Sequence, residues 1–184
     1  MRYLIVCGGK IDKEFGLNEI KTDGIDAIIA ADSGMDFLYE NGVTPDIIVG
    51  DFDSTTTNAL EYFERKGQTE IRRLNPIKDD TDTEYAIRLA ISEGARSIVL
   101  LGATGSRIDH VLGNISLLGI GLESGTDISI IDTNNRIRMA DKPVTIEKSA
   151  QYGRFVSLIA LTDDNEVSLK GFKYPVTDYS FDRF

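Results

Sequence analysis

The 184-residue sequence predicts an α/β domain built on a parallel sheet, followed by a small antiparallel β domain. Short apolar runs alternate with helical patterns through the first two thirds of the chain, which is the signature of βαβ units. After about Ser124 this texture gives way to short strand-like segments and turn residues with no convincing helix, placing a boundary between domains 1–123 and 124–184. The 41% apolar content is enough for a sizeable core.

The expected strands are YLIVC (3–7), DAIIAA (26–31), DIIVG (46–50), SIVLLG (97–102) and, less regularly, ISIID (128–132). Met35 to Asn41 reads as a short helix closed by Gly42, and Asn58 to Lys66 as another closed by Gly67; each glycine suits a left-handed C-terminal position. The clearest helix is TDTEYAIRLAISEG: Thr81 and Glu84 have capping-box spacing, Tyr85/Leu89 and Ala86/Ala90 recur at i, i+4, and Gly94 ends it. A later helix over 109–118 carries Val111, Leu112, Ile115 and Leu118 on one face. Beyond it, ISIIDTNNRIRMADKPVTIEK and RFVSLIALTDDNEVSLKGFKY supply the strands of the second domain.

A formal charge of −10 argues against partners held mainly through phosphate backbones or anionic membranes, so neither nucleic acid nor membrane is expected. A nucleotide remains compatible if a divalent cation lies between carboxylates and phosphates. Cys7 is the single cysteine and has no internal disulfide partner, and no secretory leader is recognisable at MRYLIVCGG; the expected location is cytoplasmic. No apolar stretch approaches the ~20 residues needed to span a bilayer.

Ligands of open parallel sheets sit beyond the carboxyl ends of the strands. There the sequence has Gly8-Gly9-Lys10, Ala31-Asp32-Ser33-Gly34, the run VGDFDS with Asp51 and Asp53, and ATGSRIDH with Gly105, Arg107 and Asp109. KDDTD (78–82) stands at the start of the capped helix. Taken singly, each has a plain explanation: Asp32 opens a turn or caps a helix, Asp82 complements a helix dipole, and Lys10, Lys78 and Arg107 are solvated charges. His110 reads as packed or solvated, and Cys7 as core. The conjunction is harder to explain that way. In an extended segment Asp51 and Asp53 point the same way while Phe52 points to the core, and with Asp82 they form an oxygen-only site suited to Mg²⁺ shared with substrate phosphates. The glycine-rich turns at Gly8-Gly9 and Gly102 to Gly105 offer backbone N–H donors, although neither GxxxxGK[ST] nor GxGxxG is present.

The ordered set ADSGMDFLYENGVTPDIIVGDFDS, KDDTDTEYAI, LGATGSRIDHVLGN and a tail containing GFKYP resembles bacterial-type thiamine pyrophosphokinases over nearly the whole chain. The resemblance implies a Rossmann-like α/β domain with a C-terminal β-sandwich, assembled as a homodimer. It also implies Mg²⁺-dependent transfer of pyrophosphate from ATP to the hydroxyl of thiamine, giving thiamine diphosphate and AMP. By motif, Asp51, Asp53 and Asp82 would be metal ligands. Asp32, Lys78, Asp79, Gly105, Arg107 and Asp109 would line the substrate and nucleotide pocket, with Asp32 or Asp109 orienting or deprotonating the hydroxyl. Such proteins usually continue past the GFKYP region into a further strand and a Ser-Asn motif that contacts thiamine, whereas this sequence ends at Phe184, so a β domain lacking its last strands is expected. The competing expectations are another Mg²⁺-dependent nucleotide phosphohydrolase and a noncatalytic thiamine or nucleotide binding module.

Overall fold

A computed structural model describes residues 1–52, 58–75, 80–105 and 107–183. Its elements are β1 (Arg2–Val6), α1 (Lys13–Ile20), β2 (Ala27–Ala31), α2 (Gly34–Glu40), β3 (Ile47–Gly50), α3 (Ala59–Lys66) and β4 (Glu70–Arg73). They continue through α4 (Asp82–Ser92), β5 (Ser97–Leu101), α5 (Ile108–Ser124), β6 (Asp127–Ile131), β7 (Arg136–Arg138), β8 (Asn165–Leu169) and β9 (Val176–Phe181). The first seven strands form one sheet in the order β4-β3-β2-β1-β5-β6-β7, parallel except for the antiparallel β7.

The strands are apolar on both sides because helices cover both faces of the sheet. Tyr3, Ile5, Cys7, Ile29 and Val49 pack with Ala86, Ile87 and Ala90 of α4 and Leu118 of α5. The alternate residues Leu4, Val6, Ala30 and Ile48 pack with Met35 and Leu38 of α2 and Phe63 of α3. Each fully buried aliphatic or aromatic side chain contributes about 1.5–3 kcal/mol relative to exposure.

Three features depart from the periodicity. β4 has the sequence EIRR with no apolar run, and becomes a strand by pairing its backbone with Ile47–Gly50. Helix α1 begins at the side-chain cap of Asp12, which accepts from Phe15 N, and carries too weak an apolar stripe to stand out. Helix α5 runs six residues beyond 118 to the left-handed Gly125; its internal glycines mask a helix that packing against β6 sustains.

The chain separates into two compact units, Met1–Tyr152 and Gly153–Phe184. β6 lies beside β5 in the large sheet, so the strand expected at 128–132 belongs to the first unit although it follows residue 124. Parallel pairing from Ser97↔Asp127 to Leu101↔Ile131 continues the α/β layer past the change in sequence texture. In the second unit β8 and β9 form a two-stranded antiparallel sheet with a bulge between Val167 and Leu169. Among the described residues this is the extent of the regular β-structure expected there as a sandwich.

Candidate metal and phosphate site

The strand order reverses between β1 and β5, which both continue in parallel to opposite sides of the sheet. Crevices at such a switch point, beyond the carboxyl ends, are where ligands of open α/β sheets bind. A cavity of about 500 Å³ lies there, lined by Lys10, Phe15, Gly102, Thr104, Gly105 and Asp132 among others. Gly105 is thus one of the residues that line this cavity. The turns after β1 and β5 lie against each other: Gly9 N donates to Gly102 O at 2.9 Å, and a Cβ on Gly9 would come within 2.2 Å of that oxygen. The Gly9 N–H, expected as a phosphate donor, is thus engaged by the protein, and the glycine serves close backbone approach.

Asp132 follows β6 as the other aspartates follow their strands, and the sequence reading did not single it out. Scanning what comes after 128–132 as for the earlier strands is the signal that finds it. Its carboxylate accepts from Thr104 Oγ1 at 2.8 Å, from the backbone N–H groups of Asn134 and Asn135 at 2.8 Å each, and from Asn135 Nδ2. Partial burial opposes its ionisation, but these hydrogen bonds outweigh it and hold the carboxyl below its ordinary range. Tyr152 donates its hydroxyl proton to Asp132 O, bracing the same turn.

One strand pair away, Asp32, Asp51 and Asp82 each present a carboxylate oxygen, and these oxygens lie within 4.8 Å of one another; all three residues are half-buried. Asp32 leaves β2 with φ 49, and its N–H donates to Val49 O at 2.8 Å, tying the turn after β2 to β3. Asp51 directly follows β3, and Phe52 adopts φ 62, so the backbone here is not the extended segment the sequence reading assumed, although the Phe52 side chain is buried as expected. Asp82 is the first residue of α4; Thr81 caps the helix by accepting from Glu84 N at 3.1 Å, and Glu84 itself reaches forward to Arg88. The geometry thus joins Asp51 and Asp82 and adds Asp32, which the sequence reading had set apart as a catalytic carboxylate. Asp53, Lys78 and Asp79 lie outside the described residues.

Arg107 and Asp109 form an exposed two-point ion pair, with Nη2 and Nε donating to the carboxylate at 2.6 and 3.2 Å. The Arg107 guanidinium pulls the Asp109 carboxyl from 3.8 down to about 2. His110 is exposed. Cys7 is buried, which pushes its thiol up to about 11, and accepts a hydrogen bond from Thr83 Oγ1 at 3.7 Å.

These features define an α/β protein with hard oxygen donors and a switch-point cavity at the carboxyl edge of one sheet. Residues 21–130 match the family model for the catalytic domain of thiamin pyrophosphokinase, and residues 143–183 match that for its vitamin B1 binding domain. A thiamine pyrophosphokinase of Bacillus subtilis is 36% identical over 152 residues, covering 82% of this chain and 70% of the relative. The chain belongs to the thiamine pyrophosphokinase family. A crystal structure of thiamine pyrophosphokinase from Bacillus subtilis has a TM-score of 0.84 at 33% identity, covering 97% of this chain and 83% of the other. One from Geobacillus thermodenitrificans has a TM-score of 0.79 at 27% identity, covering 100% and 84%. Among the described residues, no helix is long and apolar enough to cross a membrane.

Proposed function

We propose that this protein is a cytoplasmic enzyme that transfers the terminal pyrophosphoryl group of ATP to the hydroxyl of thiamine, forming thiamine diphosphate and AMP in a Mg²⁺-dependent reaction. The observation that carries this reading is the meeting of Asp32, Asp51 and Asp82. Three clustered carboxylate oxygens fit Mg²⁺, which takes hard oxygen ligands and shares them with substrate phosphates. Asp53, one residue beyond Phe52, is assigned to the same ligand set by its motif. When bound, the cation neutralises charge on the transferring group and on AMP as it leaves.

The chain's own residues position the reactants, which is most of what this class of transfer demands. The nucleoside of ATP is assigned to the cavity at Gly102, Thr104 and Gly105, with Lys10, Lys78 and Arg107 offsetting phosphate charge and Asp79 lining the pocket. The thiamine hydroxyl oxygen bonds to the β-phosphorus as the bond from that phosphorus to the α–β bridging oxygen breaks; AMP leaves with that oxygen, and the hydroxyl proton passes to Asp32 or to water. Asp109 is a weak base, because Arg107 holds it ionised down to about pH 2. Asp32, which stands in the acidic cluster, is assigned to orienting the hydroxyl.

We assign ATP and metal binding to residues 1–123 together with the turn after β6 that carries Asp132, and thiamine binding and dimerisation to the remainder of residues 124–184. The match of 143–183 to a vitamin B1 binding model supports the second assignment. Phe155 and Ile159, 82% and 81% exposed in the single chain, are apolar surface that a second copy would cover in a homodimer.

Phosphorus NMR of the purified protein with Mg-ATP, with and without thiamine, tests the reaction. The expected result is AMP and thiamine diphosphate only when thiamine is present. ADP or inorganic phosphate appearing without thiamine, or no turnover at all, would overturn it.

A further inference from the structure

We infer that Arg73 is a positioning residue for the acidic cluster, acting through the ring of Phe52; the inference rests on the cation reading of that cluster given above. Phe52 holds φ 62 immediately after Asp51, a conformation that bulky residues rarely adopt and that persists only where the surroundings enforce it. Part of that enforcement is the core: the ring is 8% exposed and belongs to the cluster containing Met35, Ala59 and Phe63. Part is Gly50, where a Cβ would lie 3.0 Å from Phe52 Cε1 and 3.2 Å from Asp32 Cα. Gly50 thus lies close to both the Phe52 ring and the Asp32 backbone with no room for a side chain between them, and from this we take the position of the ring to influence the spacing between the turns that carry Asp32 and Asp51.

Arg73 also meets the ring. Its guanidinium stands 5.4 Å from the centroid of the Phe52 ring. Its place is fixed from two directions. In the β3–β4 ladder Arg73 pairs with Gly50, the next residue donating Leu74 N to Gly50 O at 2.9 Å. The guanidinium also pairs with Glu64 of α3 at 2.6 Å. Both partners of that ion pair are exposed, so it adds little to global stability. What the arrangement does provide is a cation held over the ring of Phe52, the residue next to Asp51. Losing it leaves the fold standing and frees the turn to sample positions in which Asp51 and Asp32 no longer converge.

The test uses the full chain and Mn²⁺ as probe, titrated by electron paramagnetic resonance without substrates, alongside steady-state kinetics at varied Mg²⁺. Arg73→Met is expected to weaken Mn²⁺ binding about three- to fivefold, the size of an exposed cation–π contact, and to raise the half-activating Mg²⁺ concentration equally. kcat at saturating Mg²⁺ stays unchanged, the thermal midpoint moves by less than about 2 °C, and Arg73→Lys restores part of the affinity. In the Phe52→Leu background, Arg73→Met is expected to have no further effect on Mn²⁺ affinity. Unchanged Mn²⁺ affinity in Arg73→Met, or an equal loss with Leu at position 52, would overturn the inference. So would a fall in kcat at saturating Mg²⁺, which would mean direct contact with substrate. If Asp51→Asn leaves Mn²⁺ binding at the wild-type level, the cation reading itself fails and this inference falls with it.

Discussion

A Cβ at Gly34 would lie 1.9 Å from the carbonyl oxygen of Val6 and 2.6 Å from its carbonyl carbon. Helix α2 therefore starts in direct contact with the end of β1, two residues after Asp32, and only a residue without a side chain fits. Gly34→Ala must displace backbone, and is expected to cost about 3 kcal/mol, at the upper end of ordinary overpacking. Urea denaturation checks this. Gly113, by contrast, is exposed in α5 with nothing within 4 Å of a Cβ, so Gly113→Ala is expected to stabilise by about 0.5–1 kcal/mol.

Removing one clustered carboxylate separates cation binding from folding. Asp51→Asn is expected to lower turnover at least about a hundredfold while leaving the far-ultraviolet circular dichroism unchanged. Mg²⁺ is expected to raise the thermal midpoint of the wild-type protein and not that of Asp51→Asn, because a cation stabilises the state that binds it. Thermal melts with and without Mg²⁺ read both effects.

The ion pair of Arg107 with Asp109 has a definite pH signature. The folded carboxyl titrates at about 2 instead of 3.8, so its stabilising contribution is present above about pH 4 and is lost as the pH falls towards 2. Asp109→Asn is expected to lower stability by a constant amount above about pH 4 and to converge with the wild type as the pH falls towards 2, so that the slope of the stability curve changes only within that window, and less so in high salt because both groups are exposed. Since Asp109 stays ionised throughout the neutral range, the acid limb of kcat/KM between about pH 5 and 7 is expected to keep its position in this variant. A pH–rate profile measures that directly.

Asp132 organises the wall of the switch-point cavity by gathering Thr104, Asn134 and Asn135. Asp132→Ala leaves those donors to find other partners, with an expected loss of about 1–3 kcal/mol in stability. If the nucleotide occupies this cavity, KM for ATP rises more than KM for thiamine, and initial-rate measurements with each substrate varied separate the two.

Much of this architecture was legible along the chain because it is locally encoded. The runs at 3–7, 26–31, 46–50 and 97–102 became the four central parallel strands within a residue at each end, and Gly42, Gly67 and Gly94 take the left-handed conformations that end helices. β4 was not legible: EIRR has no apolar pattern, and it is a strand because β3 offers a free edge to its backbone. Nor was the reach of the large sheet past residue 124, which depends on β6 finding β5 as its neighbour.

The site divides the same way. By itself the sequence determined that carboxylates follow strand after strand, because residue type and distance from a strand end are properties of the chain; a shared group of Asp51, Asp53 and Asp82 was from there an expectation. Tertiary structure decided that Asp32 joins that group, that Arg107 occupies Asp109, that Asp132 braces a cavity wall, and that Arg73 stands over Phe52. The physical reason is range. A carboxylate's role is set by what lies within a few ångströms of it, and here those neighbours arrive from separate strands and helices whose adjacency is written in the order of the sheet.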